Sequence, residues 1–200
     1  MKTHKSKKAN RSNDLLPPLS AFEPTSHRII KGEHPAMQDD ETLLKNVLLD
    51  FGRSSGPGGQ HRNRKATACT ATHTPTDISG EATERRRQSE NRKMAISRLR
   101  RTLAIQLRRE LNLDTFKATP LWEERRSGEQ LAVNPKHRDY PCILAEALDV
   151  IFASGFDMQA ASNTLQISAT QLLKIVSHDN TALTWLNNER KERGIPTLKT

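Results

Sequence analysis

Three glycines and a proline fall within the five residues Gly56-Pro57-Gly58-Gly59-Gln60, and a glutamine closes the run. Glycine reaches backbone conformations that side chains forbid, and with no Cβ in the way its N–H can approach a ligand closely. The Gln60 amide both donates and accepts hydrogen bonds. Such a tip suits insertion into a narrow, crowded site made by another macromolecule. A bare Gly-Gly-Gln also occurs in idle surface loops, so its surroundings decide its meaning. No general base sits in the loop itself. His61 is the nearest candidate. Cys69 and Cys142 lie far apart, and the seven histidines show no ligand spacing, so the expectation is no metal and no cofactor.

A tip of this kind needs a frame. Val47, Leu49 and Phe51 alternate with Leu48 and Asp50, the pattern of a strand running into Arg53 and the loop. Beyond it, Thr67 to His73 is dense in β-branched and small residues. Pro75-Thr76-Asp77 reads as a turn, and Ile78 begins a return strand. From Ser89 to about Arg109 the period becomes helical. Ala95, Leu99, Leu103 and Leu107 form one apolar stripe with Ile96 beside it, and Ser89 is the expected N-cap. The other faces carry Arg92, Lys93, Arg98, Arg100, Arg101, Arg108 and Arg109. Upstream, Asp39-Asp40-Glu41 places acid at the start of a short helix, where the dipole favours it.

The remainder divides by composition. Residues 1–35 read as a flexible basic leader, 36–112 as the unit bearing the loop, and 113–137 as a connector with Pro120, Gly128 and Pro135. Residues 138–194 read as a helical C-terminal domain, and 195–200 as a tail. Its helices are expected over Tyr140 to Phe152, Asp157 to Leu165, Ala169 to Val176 and from Asn180 through Arg190, with Gly155 and Gly194 as stops. The expected class is α+β: a small mixed sheet with the loop, a long basic helix, then a small all-α unit resembling a helix-turn-helix. In that unit Gln171 and Lys174 are the candidates for reading bases, although packing or contact with a macromolecular partner is the favoured role.

Net charge is +9, which favours a polyanionic partner. No stretch approaches the roughly 20 apolar residues that span a bilayer, and no membrane partner is expected. The N-terminus lacks the apolar core of a secretory signal. A cytoplasmic location is expected, with organellar import left open by the basic leader.

The run Arg53 to Asn63 (RSSGPGGQHRN), followed by THTPTD and then ERRRQSENRKMAISRLRRTL, resembles the catalytic domain of class I peptide chain release factors. The resemblance covers about Asp39 to Leu111 and keeps the order strand, Gly-Gly-Gln loop, hairpin, basic helix. It departs in Arg62 where valine is usual, Arg64 where Lys or Thr is common, Asp77 at a turn glycine, and a looser Glu84-Arg85-Arg86-Arg87-Gln88. None of these touches the tripeptide.

The resemblance implies ribosome-dependent hydrolysis of peptidyl-tRNA, with Gly58, Gly59 and Gln60 as the catalytic tip. The implied partners are large-subunit ribosomal RNA at the peptidyl-transferase centre and P-site peptidyl-tRNA, met by a monomer. RNA contact is expected from Arg53, His61, Arg62, Asn63, Arg64 and Lys65 around the loop. It is expected equally from Arg85, Arg86, Arg87, Arg92, Lys93, Arg100 and Arg101, since Arg and Lys on phosphate dominate affinity for such surfaces. No stop-codon-reading tripeptide accompanies the domain, so action without codon recognition, as in ribosome rescue, is expected.

Overall fold

The computed structural model describes residues 28–53 and 66–199. Its central element is a long helix lying across a three-stranded sheet. The sheet is antiparallel, in the order β2 (Val47–Gly52), β3 (Ala68–His73), β4 (Ile78–Ala82). A two-stranded parallel pair, β1 (Arg28–Ile30) with β5 (Leu107–Arg109), stands apart from it. The class is therefore α+β, with the parallel pairing segregated from the loop-bearing sheet.

One face of the sheet is built from small residues. Cys69 and Ala71 on β3 and Ile78, Gly80 and Ala82 on β4 point to the helix α2 (Gln88–Gln106), which answers with Ala95, Leu99 and Leu103, all fully buried. Contact is closest at Gly80. A Cβ there would lie 2.3 Å from the Leu99 backbone nitrogen and 2.5 Å from the Ala95 carbonyl oxygen, so only glycine fits. The β3–β4 turn puts Asp77 at φ 56°, a left-handed conformation that Asp tolerates, as its place at a turn glycine requires.

Two boundaries differ from the sequence reading. The helical period extends through Arg109, but the helix ends at Gln106 and Leu107 turns to extended geometry. Leu107 stays buried on the same stripe. What redirects its backbone is β1, a strand inside the stretch read as leader. A three-residue strand has too few positions to show a period. Likewise Ser89 is not the N-cap; Arg87 holds that position without a side-chain cap.

Short elements precede and follow. The 3-10 turn Pro35–Met37 is capped by His34, and α1 (Asp40–Leu44) by Asp39, whose carboxylate accepts from the Thr42 N–H at 2.9 Å. The connector holds α3 (Pro120–Arg125), β6 (Arg126–Ser127) and β7 (Gln130–Leu131). Four helices come next: α4 (Tyr140–Ala153), α5 (Met158–Leu165), α6 (Ala169–Ser177) and α7 (Asn180–Glu192). Asp157, Ser168 and Asp179 cap the last three. α4 is buried nearly all round and packs against α2, so one core runs from Ala36 to Leu186.

Charge is buried at that junction. The fully buried Arg108 guanidinium lies 4.3 Å over the Trp185 ring and donates to the Ala104 carbonyl at 2.9 Å, with Asp149 at 3.8 Å. Burial draws its pKa down to about 10, so it stays charged at neutral pH. Asp149 on α4 also accepts from the Arg109 backbone N–H at 3.1 Å and its Nε at 2.7 Å, which fastens β5 to α4.

His34 is fully buried, and its Nδ1 accepts from the Ala36 N–H at 3.0 Å. Burial first, then the nearby Arg108, holds its pKa down to about 3 from an ordinary 6.5. The folded ring stays neutral where the unfolded ring takes a proton, so this group's contribution to stability is lost as pH falls below about 6.5. The slope is at most about 1.4 kcal/mol per pH unit. His34→Asn keeps a capping acceptor and removes the titration. The expected outcome is a shallower fall in denaturant-measured stability between pH 6.5 and 4 than in the wild type.

Candidate functional site

Gly52 at the end of β2 pairs directly with Ala68 at the start of β3. Residues 53–67 therefore leave and rejoin the sheet at one rung. Gly58, Gly59, Gln60, His61, Arg62, Asn63, Arg64 and Lys65 belong to that segment and lie outside the described residues. Their frame is described in full.

The return limb is held by α2. Asn91 Nδ2 donates to the Thr67 carbonyl at 2.6 Å and to the Arg85 carbonyl at 2.9 Å, while its Oδ1 accepts from the Arg85 N–H at 2.8 Å. One fully buried amide thus fixes both the start of β3 and the approach to the helix. Gln88 Nε2 adds a bond to the Ala66 carbonyl at 3.2 Å. Asn91 is absent from the site residues read from the sequence. The signal was present, because position 91 falls one turn before Ala95 on the buried stripe and is polar.

At the same end of the sheet the chain runs on from β4, where Ala82 pairs with Cys69, into Thr83, Glu84 and the three arginines. Arg85, Arg86 and Arg87 are all exposed, as is Arg53 beyond Gly52. Arg92 and Lys93 are exposed on the first half of α2. All six lie in sequence next to residues that end β2 or hold the start of β3: Arg53 follows Gly52, and Arg85–Arg87, Arg92 and Lys93 flank or adjoin Asn91. Glu84 is drawn into the frame, accepting from Arg98 at 2.5 Å, which holds its carboxyl below the usual range.

Two arginines expected to face RNA are paired within the fold, Arg100 buried and Arg101 half-exposed. Arg100 is buried; its guanidinium donates to the Ala36 and Gln38 carbonyls at 3.1 and 2.6 Å and to Asp40 at 2.7 Å, fixing the segment before α1. Arg101 pairs with Asp179 at 2.7 Å and lies 5.6 Å over the Tyr140 ring. Both face the helical unit or the N-terminal segment because the helix is enclosed on more than one side. An amphipathic reading of α2 as having one buried face could not anticipate that.

The helix-turn-helix resemblance holds in shape. Gln166 at φ 55° turns α5 into α6. Its use is different from base reading, since Gln171 Nε2 donates to the Leu131 carbonyl at 2.8 Å and the Ser168 N–H donates to the Glu129 carbonyl at 3.0 Å. The β6–β7 hairpin therefore covers the start of α6, and Lys174 alone of the two candidates is exposed.

Residues 41–140, half of the chain, match the family described as the RF-1 domain, and the match takes in β2, the segment 53–67, β3, β4 and α2. The chain belongs to that family. Among relatives, it is 40% identical over 68 residues to "Peptide chain release factor 1" of Mesoplasma florum, covering 33% of this chain and 19% of that protein. It is 41% identical over 59 residues to "Peptide chain release factor 1-like, mitochondrial" of Rattus norvegicus, covering 30% and 16%. With "Peptide chain release factor 2" of Helicobacter pylori it shares 35% over 94 residues, covering 46% and 24%. The matches span about a fifth of the length of these relatives. Among the described residues no helix is long and apolar enough to cross a membrane.

Within this RF-1 domain the Asn91 amide is the tie most open to test. Asn91→Ala leaves the Thr67 and Arg85 backbone groups without their partner, and urea unfolding is expected to show a loss of about 1–3 kcal/mol. A variant as stable as wild type would mean that the clamp carries no weight.

Proposed function

We propose that this chain promotes ribosome-dependent hydrolysis of the peptidyl-tRNA ester, and does so without reading a stop codon, as in rescue of stalled ribosomes. The observation that carries the reading is the Gly58-Gly59-Gln60 tripeptide inside an RF-1 domain match, joined to a sheet at the Gly52–Ala68 rung. In this reading the tip enters the peptidyl-transferase centre beside the terminal adenosine of P-site tRNA. Water attacks the ester carbonyl. The Gln60 backbone N–H donates to the developing oxyanion or the leaving 3′-hydroxyl as a preorganised group in a dry site. The Gln60 side chain positions the water and excludes larger nucleophiles. Ribosomal RNA and tRNA supply the rest of the site, and no metal or cofactor takes part.

The exposed Arg53, Arg85, Arg86, Arg87, Arg92 and Lys93 suit contact with ribosomal RNA around the entering tip. Residues beyond the family match are packed into the fold: α5 to α7 bury their apolar faces in the shared core, and the β6–β7 hairpin covers the start of α6.

Purified protein is expected to release peptide from ribosomes stalled on truncated messages. Gly59→Ala should lower the release rate by about 10²–10³-fold with co-sedimentation on ribosomes retained. Wild-type protein that sediments with ribosomes yet releases nothing would instead be a non-catalytic ribosome-binding protein. A separate measurement addresses the arginine run. Replacing Arg85, Arg86 and Arg87 by Ala should weaken ribosome binding most at low salt and flatten its salt dependence. The log–log slope should fall by about 0.7–0.9 for each phosphate left without its arginine.

A further inference from the structure

The first turn of α2 carries two amides that neighbour each other on the helix, Gln88 and Asn91, and they hold consecutive carbonyls of the return limb. Gln88 Nε2 donates to Ala66 at 3.2 Å and Asn91 Nδ2 to Thr67 at 2.6 Å. Asn91 also closes the bend Arg85–Arg87 at both ends. Its side chain donates to the Arg85 carbonyl at 2.9 Å and accepts from the Arg85 N–H at 2.8 Å. Its backbone N–H donates to the Arg87 carbonyl at 3.2 Å.

Burying an amide costs free energy unless its polar atoms are bonded. Asn91 is fully buried one turn before Ala95, at a position where an apolar side chain would serve packing alone. Both of its amide donors are used, one on each segment. The polar group thus adds a direct link between two stretches that the backbone connects only through β3, the turn and β4. One stretch carries three exposed arginines. The other lies seven residues after Gln60 in the sequence.

We propose that Asn91 is a positioning residue for peptide release. It makes the arginine run and the return limb one body, so that Arg85, Arg86 and Arg87, once seated on RNA phosphates, fix the root from which the tripeptide is presented. Asn91 touches no substrate and acts through Thr67. Its role rests on the reading of Gly58-Gly59-Gln60 as the reacting tip. Arginines on phosphate supply binding, and binding raises the rate only where it also orients the reacting groups. A link from the arginines to the limb provides that connection.

Two measurements test it. In peptide release from ribosomes stalled on truncated messages, Asn91→Ala should lower the maximal rate by about 10²-fold, the cost of a misplacement of about 1 Å, while the half-saturating protein concentration moves less than about twofold. Gln88→Ala, at an exposed position, frees only the Ala66 carbonyl and leaves the core untouched. It should give the same split at about fivefold, the worth of one hydrogen bond. Trp122→Phe removes a different buried hydrogen bond, to the Leu165 carbonyl, and should keep the wild-type maximal rate.

The second measurement uses no ribosome. Hexauridylate added to the full chain at low salt should shift the amide NMR signals of Arg85 to Arg87 and, with them, those of Ala66 and Thr67. In Asn91→Ala the arginine signals should still shift while those of the limb stay put. Limb signals that move equally in the variant overturn the proposal, as does the absence of any shift in the wild type. So does a maximal rate that falls no further in Asn91→Ala than in Trp122→Phe. Wild-type protein that releases nothing, yet shows the coupled shifts, would remove the proposed function and leave the link between arginines and limb standing.

Discussion

At Gly80 the fold brings a strand and a helix together backbone against backbone. Gly80 on β4 meets α2 at Ala95 and Leu99 with no room for a methyl group, and the small residues Cys69, Ala71 and Ala82 continue that flat contact. Pressing a helix this near a sheet sets the position of everything carried on either one. It brings the first turns of α2 alongside the β2–β3 rung, so that Asn91 can reach Thr67 and Gln88 can reach Ala66. It also leaves the far side of α2 free for α4. The segment with Gly58, Gly59 and Gln60 is therefore joined to a sheet that is held closely against α2.

Much of this was legible in the residues because the elements that frame the loop are strongly patterned. The alternation at Val47 to Phe51, the turn at Pro75 to Asp77 and the stripe Ala95, Leu99, Leu103 each identify their element, and Asp157 identifies its helix start. The caps of α6 and α7 are equally local. What escaped has a common physical cause. β1, the end of α2 at Gln106 and the placement of Arg100 and Arg101 are settled by partners distant in sequence, and a local period carries no record of them. Charge was the least dependable guide. An arginine on a helix reads as solvated, yet Arg100 and Arg108 satisfy carbonyls and carboxylates inside the protein. Among the described residues, six of the expected site cations are exposed, and the other two, Arg100 and Arg101, lie where α2 meets its other neighbours.

The helical unit shows how a recognisable shape can be put to a different use. α5 and α6 meet across a left-handed residue as in a helix-turn-helix, but the polar group expected to face bases is bonded to the β6–β7 hairpin. Trp122 makes a similar tie, its indole N–H donating to the Leu165 carbonyl at 3.2 Å. These bonds fasten the residues between α2 and α4 onto the C-terminal helices.

The placement of Arg108 has a consequence for how the chain could be divided. Its ionised guanidinium is kept dry by Trp185 of α7 and Asp149 of α4, although it belongs to the half that bears the tripeptide. Severing that half from the later helices would strip a lone cation of its cover and bare the apolar flank beneath it. A fragment cut from this protein to hold only that half would thus need a new surface there, with a polar or smaller side chain replacing the arginine, before it could stand as an autonomous unit.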